Sequence, residues 1–208
     1  MITTLTKQDL IDFEEDIAQS FNQKLIKAPV HLYYGNEDEM MSLFQEINPQ
    51  DWIFCSWRSH YQCLLKGVPK DKLKQSILDG KSISLCFPEQ RVFSSAIVAG
   101  SIPIAVGVAM GIKMRNIQNE KVYCFVGDMT AETGTMWESV KYSIAYDLPI
   151  VFVIEDNNLS VCTDTRRTWN TELLTFEYEL PKSSQKFIKY YKYKNKWPHA
   201  GSGTRIQF

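Results

Sequence analysis

The stretch KVYCFVGDMTAETG, Lys121–Gly134, decides the fold. Its first half, VYCFVG, is a continuous apolar run rich in strand-forming residues, and it reads as a strand buried on both faces. Asp128 follows at once, and from about 134 to 146 the pattern is helical. Leu148-Pro149 then leads into IVFVIE, a second uninterrupted apolar run at 150–155. Strand, helix, strand with both strands apolar throughout predicts an α/β fold, a parallel sheet flanked by helices. In such sheets ligands bind beyond the carboxyl ends of the strands. Asp128, Asp156, Asn157 and Asn158 stand at those ends.

Outward from this unit the elements thin out. A helix is expected from Thr6 to Ser20 and a second within 37–46. WIFCSW at 52–57 reads as a short strand, with a polar loop at 58–62. PKDKLKQSILDG at 69–80 reads as a helix stopped by Gly80, and SISLC at 82–86 as a short extended piece. A helix over about 101–116 takes Pro103 in its first turn. Residues 160–186 have no clear period, KFIKYYKYK at 186–194 reads as a last strand, and NKWPHAGSGTRIQF as an irregular tail. The chain is read as one domain over 1–208, with an N-terminal helical segment at 1–48 and a tail at 195–208 that serves the site or an interface.

The totals exclude several classes. With 208 residues, 44% hydrophobic and a net charge of −1, the chain is an ordinary globular one with no bias toward nucleic acid or a membrane surface. Five scattered cysteines form no metal-ligand pair and suit free thiols in a reducing compartment. MITTLTKQDLIDFEEDIAQ is acidic and amphipathic, unlike a secretory signal, so a cytoplasmic protein is expected. The uncharged run VFSSAIVAGSIPIAVGVAMGI at 92–112 has the length of a membrane span, but serines, glycines and Pro103 interrupt its first half. It reads as a buried interface helix in which Gly107 and Gly111 let another helix approach. The lysines and tyrosines of 186–197 read as a solvated strand edge or an interface in preference to a nucleic-acid strip. His31 reads as structural.

Asp128 finds its counterpart in Asn157, 29 residues later, room for a loop, a helix and the next strand. A carboxylate, an amide oxygen and a backbone carbonyl are hard ligands that suit Mg²⁺ or Ca²⁺ rather than zinc. Gly134 and the helix starting near it offer N–H groups and a positive dipole end to the same spot, so a metal–diphosphate site is one reading. The other is a helix-capping Asp and an Asn-Asn turn. Spacing leaves both open.

GDMTAETGTMWESVKYSIAYDLPIVFVIEDNNLS resembles the thiamine diphosphate motif, Gly-Asp-Gly then about thirty residues then Asn. It is most similar to alpha subunits of the 2-oxo-acid dehydrogenase first component, of the pyruvate and branched-chain type. Gly134, Glu138, Leu148-Pro149 and Glu155-Asp156-Asn157 match the family without a gap. The resemblance implies that Asp128, Asn157 and the Leu159 carbonyl ligate the metal, with Asn158 the alternative if the register slips. It implies cofactor contacts at Gly127, Met129 and Thr130. WRSH resembles the family's Tyr-Arg-x-His stretch, implying Trp57 and Arg58 at the diphosphate and His60 facing the reaction centre. FSSAIVAGSIP resembles the family's Gly-rich helix start, implying that the backbone at Ala96 and Val98 meets the aminopyrimidine. KWPHAGSG resembles a C-terminal active-site loop, implying a second catalytic histidine, His199. The match covers about 50–160, with a weaker one at 187–203.

The departures are specific. Met129 stands where the motif has Gly, Trp57 where it has Tyr, and Ser94-Ser95 and Ala96 where it has glycines. The family has a further helix–strand–helix after the second strand that this chain shortens. The glutamate that activates the cofactor lies, in the family, on a pyrimidine-binding domain of another chain, and the 208 residues contain no second such domain. The resemblance therefore implies a beta-type partner, an α2β2 assembly, a 2-oxo acid substrate and a lipoyl acyltransferase as acceptor. A decarboxylase or carboligase subunit without a lipoyl partner, or a non-catalytic regulatory subunit, are the alternatives.

Overall fold

The structure is a computed structural model that describes residues 5–178 and 182–207. Residues 1–4 of the N-terminal segment, 179–181 within the aperiodic region, and Phe208 of the tail lie outside the described residues. In chain order the elements are α1 Lys7–Asn22, α2 Glu37–Phe44, β1 Trp52–Cys55, α3 His60–Leu65, α4 Lys70–Leu78, β2 Cys86–Phe87 and β3 Val92–Ser94. Then come α5 Ser101–Met114, β4 Val122–Gly127, α6 Asp128–Ala131, α7 Gly134–Ala145 and β5 Ile150–Asp156. The chain closes with β6 Leu159–Ser160, β7 Thr163–Asp164, α8 Thr165–Trp169, α9 Lys182–Gln185 and β8 Ile188–Lys192.

The sheet order is β2-β3-β1-β4-β5-β8, parallel throughout except for the β2–β3 pair. Alternation along the strands divides the core in two. Ile53, Tyr123, Phe125 and Val153 pack beneath α1, α3 and α4. Phe54, Cys124, Val126, Phe152 and Ile154 pack against α5 and α7. β1, β4 and β5 are thus apolar on both faces, the continuous pattern that parallel sheets require. Full burial of one such large side chain contributes about 1.5–3 kcal/mol, and Phe125 and Phe152 are both sealed from solvent.

Two of the expectations need correction here. Of the expected polar loop at 58–62 only Arg58 and Ser59 are loop: His60, Tyr61 and Gln62 open α3 and are all buried. Polar side chains can be buried when they find partners: His60 has Glu14 and Ser82, Tyr61 donates to Glu37 and the Gln62 amide nitrogen donates to Tyr33, while Gln62 Oε1 has no partner among the described residues. The aperiodic region resolves into the β6–β7 hairpin, α8, one 3-10 turn at Thr175–Glu177 and α9. α5 is buried along Ile102, Ala105, Val106, Ala109 and Ile112, and no described helix is long and apolar enough to cross a membrane. Its other face is open: Ile104 and Met114 are exposed, and a Cβ added at Gly107 or Gly111 meets nothing within 4 Å.

Candidate functional site

The parallel register aligns Gly127 with Glu155, so β4 and β5 end side by side. Asp128 follows the first strand as the opening residue of α6, and Asn157 follows the second. Both line one cavity of about 330 Å³ beyond the strand ends. Ser56, Trp57 and Arg58 enter from the end of β1, Gly127 to Thr130 from β4 and α6, and Leu159 to Val161 from the hairpin. The tail after β8 supplies Tyr193, Lys194, Asn195, Trp197 and His199, and Tyr33 comes from the segment before α2. The structure therefore brings together Trp57, Arg58, Val98, Gly127, Asp128, Met129, Thr130, Asn157, Leu159 and His199.

Asp128 is the electrostatic anomaly of the wall. It is 1% exposed, and its Oδ2 has no hydrogen-bond partner. Burial raises its pKa to about 6; Asp156 adds to the rise, while the Thr165 hydroxyl and the Asp128 and Met129 backbone oppose it. The Thr165 hydroxyl lies beside the carboxylate but itself lacks a hydrogen bond of good geometry. A buried carboxylate oxygen without a donor is costly unless a cation or proton completes it. Asn157 Oδ1 accepts from the Leu159 N–H at 3.1 Å, which folds the chain so that Leu159 joins the same wall. Among the described residues no three His, Cys, Asp or Glu side chains form a metal cluster. A cation here must use the mixed set of carboxylate, amide and main-chain oxygens, and such a set fits a hard divalent ion.

The strand-end loop is locked by Arg166 of α8. Its guanidinium donates to Asp156 Oδ2 at 2.6 Å and to Asn158 Oδ1 at 2.7 Å, and pairs also with Glu177. Burial works against the Asp156 charge, but Arg166, Tyr190 and the Asn158 N–H outweigh it and hold the carboxyl below its usual range. Asn158, at φ +61, spends its amide on Asp164 at 2.7 Å. It is thus fully engaged in the loop, which leaves Asn157 as the freer amide. The Met129 sulfur lies 3.2 Å from the Trp169 indole nitrogen, so the side chain that replaces the motif glycine is held by α8.

Several residues with no expected site role organise the wall. Glu155 is buried, receives the Tyr191 hydroxyl at 2.6 Å and lies 2.9 Å from the Tyr33 hydroxyl. Burial pushes its pKa up to about 7, against the pull of Tyr191, Tyr33 and Arg58. Tyr33 is also 3.0 Å from the Arg58 carbonyl and accepts from Gln62 at 2.7 Å. The Leu32 carbonyl accepts from Arg58 Nε at 3.1 Å and from Asn195 at 2.9 Å. His31, expected to be structural, packs its ring 4.5 Å from that of His199 and 5.8 Å from Trp57. Its Nδ1 lies 2.5 Å from the His199 carbonyl, and burial lowers its pKa to about 4. Residues 31–33 therefore tie the β1 loop, the end of β5 and the tail together, through contacts up to 168 residues apart.

Three expectations fall outside this cavity. His60 does not face it: the ring is wholly buried, 2.9 Å from Glu14 Oε2 on one side and 2.9 Å from Ser82 Oγ on the other. α3 turns the side chain into the core beneath α1, where Glu14 also takes the Tyr33 N–H at 3.1 Å. A catalytic role for His60 is therefore withdrawn in favour of a core hydrogen-bonding one. Gly134 is not a wall residue either, because the short α6 intervenes and Thr133 caps α7 by accepting from Met136 N–H. Ala96 sits on an exposed loop off the wall, whereas Val98 is on its rim. His199 does line the cavity, and burial together with the Arg58 charge lowers its pKa.

Comparison with known proteins gives a consistent result. The family model described as Dehydrogenase E1 component matches residues 6–176. The alpha subunit of acetoin:2,6-dichlorophenolindophenol oxidoreductase from Bacillus subtilis (strain 168) is 29% identical, over 73% of this chain and 48% of that one. Pyruvate dehydrogenase E1 component subunit alpha is 26% identical in Porphyra purpurea, over 72% of this chain and 48% of that one. The subunit of the same name from Zymomonas mobilis subsp. mobilis is 30% identical, over 74% and 47%. The chain spans about half the length of the curated relatives it matches.

Proposed function

Because this chain belongs to the dehydrogenase E1 component family, we propose that it is the alpha-type, diphosphate-holding half of a thiamine diphosphate-dependent enzyme acting on a 2-oxo acid. The observation that carries this reading is the buried, unpartnered Asp128 oxygen on a cavity wall shared with Asn157, Leu159 and Arg58. Thiamine diphosphate, when bound, supplies the carbon nucleophile and the electron sink that loss of CO₂ from a 2-oxo acid needs. Asp128, the Asn157 side-chain oxygen and the Leu159 carbonyl would hold Mg²⁺ or Ca²⁺. Arg58 would take diphosphate oxygens, for which a guanidinium fork is suited. Trp57 and the main chain at Gly127, Met129 and Thr130 would complete the cradle, and the engagement of the Met129 side chain by Trp169 fits a main-chain role there. His199, also on the cavity wall, can give or take a proton at the substrate's oxygen.

The catalytic glutamate would come from a beta-type partner, in an α2β2 assembly; the relatives above carry alpha-subunit names, and the open α5 face at Gly107 and Gly111 supports close subunit packing. In the dehydrogenase form a lipoyl acyltransferase would take the acyl group. A second reading, a subunit working without a lipoyl carrier on a neutral hydroxyketone, is favoured by the acetoin name of one relative. Five free thiols support a cytoplasmic location.

The test is co-expression with a beta-type subunit and calorimetric titration of the complex with thiamine diphosphate. Binding should require Mg²⁺ and vanish in Asp128→Ala, and the chain alone should be inactive. Strong turnover by the single chain would defeat the split site; unchanged cofactor affinity in Asp128→Ala would reject the ligand assignment.

A further inference from the structure

The basic tail was read from sequence as a solvated edge or an interface, and most of its cations are indeed engaged on the surface. Lys186 pairs with Asp147, Lys189 with Glu46 at 2.6 Å, Lys192 with Glu177 and Lys196 with Glu15. Lys194 has no such partner among the described residues, and of these five it alone lines the cavity. Its main chain is nevertheless fixed. The Lys194 carbonyl rests against Gly35, at φ +87, so closely that a Cβ there would lie 2.4 Å from the oxygen. On the other side the next residue, Asn195, is tied to the Leu32 carbonyl. The backbone is pinned at the rim while the ammonium is left uncommitted.

The other wall charges have assignments. Glu155 is held by tyrosines, and Arg58 spends one nitrogen on Leu32. Asp128 belongs with the cation, on the strand-end wall. Lys194 lines the cavity from the tail after β8, as His199 does. We infer that Lys194 binds the carboxylate of the incoming substrate, which makes the site selective for an anionic 2-oxo acid over a neutral hydroxyketone; this rests on the proposed thiamine diphosphate reading. An exposed ammonium in water contributes little, but its attraction for an anion strengthens when bound ligand and partner chain lower the local dielectric.

The test uses the complex with the beta-type partner, with pyruvate and acetoin as probes. Lys194→Met should raise KM for pyruvate about tenfold while kcat, thiamine diphosphate affinity and KM for acetoin stay within about twofold. Lys194→Arg should restore KM, and Lys189→Met, on a different face, should leave it unchanged. An unaltered KM for pyruvate, an equal loss with acetoin, or weakened cofactor binding in place of the KM effect would each overturn the assignment, the last by showing that the ammonium serves the diphosphate. So would a wild-type complex that turns over acetoin but no 2-oxo acid. If the wild-type complex binds no thiamine diphosphate, the underlying reading fails first and takes this inference with it.

Discussion

Replacing Asp128 by Asn should stabilise the ligand-free chain while removing its cation site. Burial raises the pKa of this carboxylate from 3.8 to about 6. Below about pH 4 both folded and unfolded states hold the proton and burial carries no ionic penalty. Between 4 and 6 the unfolded chain releases the proton first, and above 6 the folded state carries the full cost of a buried charge. The folded state binds more protons, so stability falls as pH rises through this window. That rise is worth about 3 kcal/mol at pH 7.5, and about half of that at pH 5. Asn keeps the shape and removes the charge, and the unpartnered Thr165 hydroxyl beside it can accept from the new amide. The expected gain is about 1–3 kcal/mol at pH 7.5. Urea denaturation with a chelator present, at pH 7.5 and pH 5, measures it. A variant no more stable than wild type at pH 7.5, or a gap that widens at pH 5, would refute the argument.

Other substitutions follow from the same geometry. Arg166→Leu leaves buried Asp156 without its charged partner and should cost about 3–5 kcal/mol by thermal or chemical denaturation, with Arg166→Lys recovering only part because the fork is lost. Tyr33→Phe deprives Glu155 and Gln62 of a shared partner and should cost about 1–3 kcal/mol, read by the same melts. Gly35→Ala puts a methyl against the Lys194 carbonyl at a positive φ, so hydrogen exchange should quicken across 193–199 while β4 and β5 stay protected. Val161→Gly should stabilise by about 1 kcal/mol, because a β-branched residue at φ +58 in the hairpin turn is strained and glycine is not; a drop in melting temperature would count against it.

The parallel sheet was legible because VYCFVG and IVFVIE are apolar throughout, a pattern that little but two-sided burial produces. The pairing of Asp128 with Asn157 on one cavity was legible because strand length and register fix where each strand ends. His60 was misread because a polar residue in a polar stretch gives no sign of burial; its partners Glu14 and Ser82 lie 46 and 22 residues away. Residues 31–33 were invisible for the same reason, since their contacts reach Glu155 and His199 across most of the chain. Residues 160–186 lacked a period because two-residue strands and a five-residue helix are too short to show one. Arg166 ties α8 to Asp156, Asn158 and Glu177, a tertiary feature that hydrophobic patterning does not report. Glu155 was matched only as part of a motif, and nothing in its neighbours announced that it would be the most heavily bonded carboxylate of the wall.

The central claim is that one divalent ion is gripped at the ends of β4 and β5. The direct measurement is an anomalous difference map from crystals of the complex grown with Mn²⁺ and thiamine diphosphate. The account predicts a single strong peak within coordination distance of Asp128, the Asn157 side-chain oxygen and the Leu159 carbonyl. A peak elsewhere, or bound cofactor with no ion between those three oxygens, would contradict it.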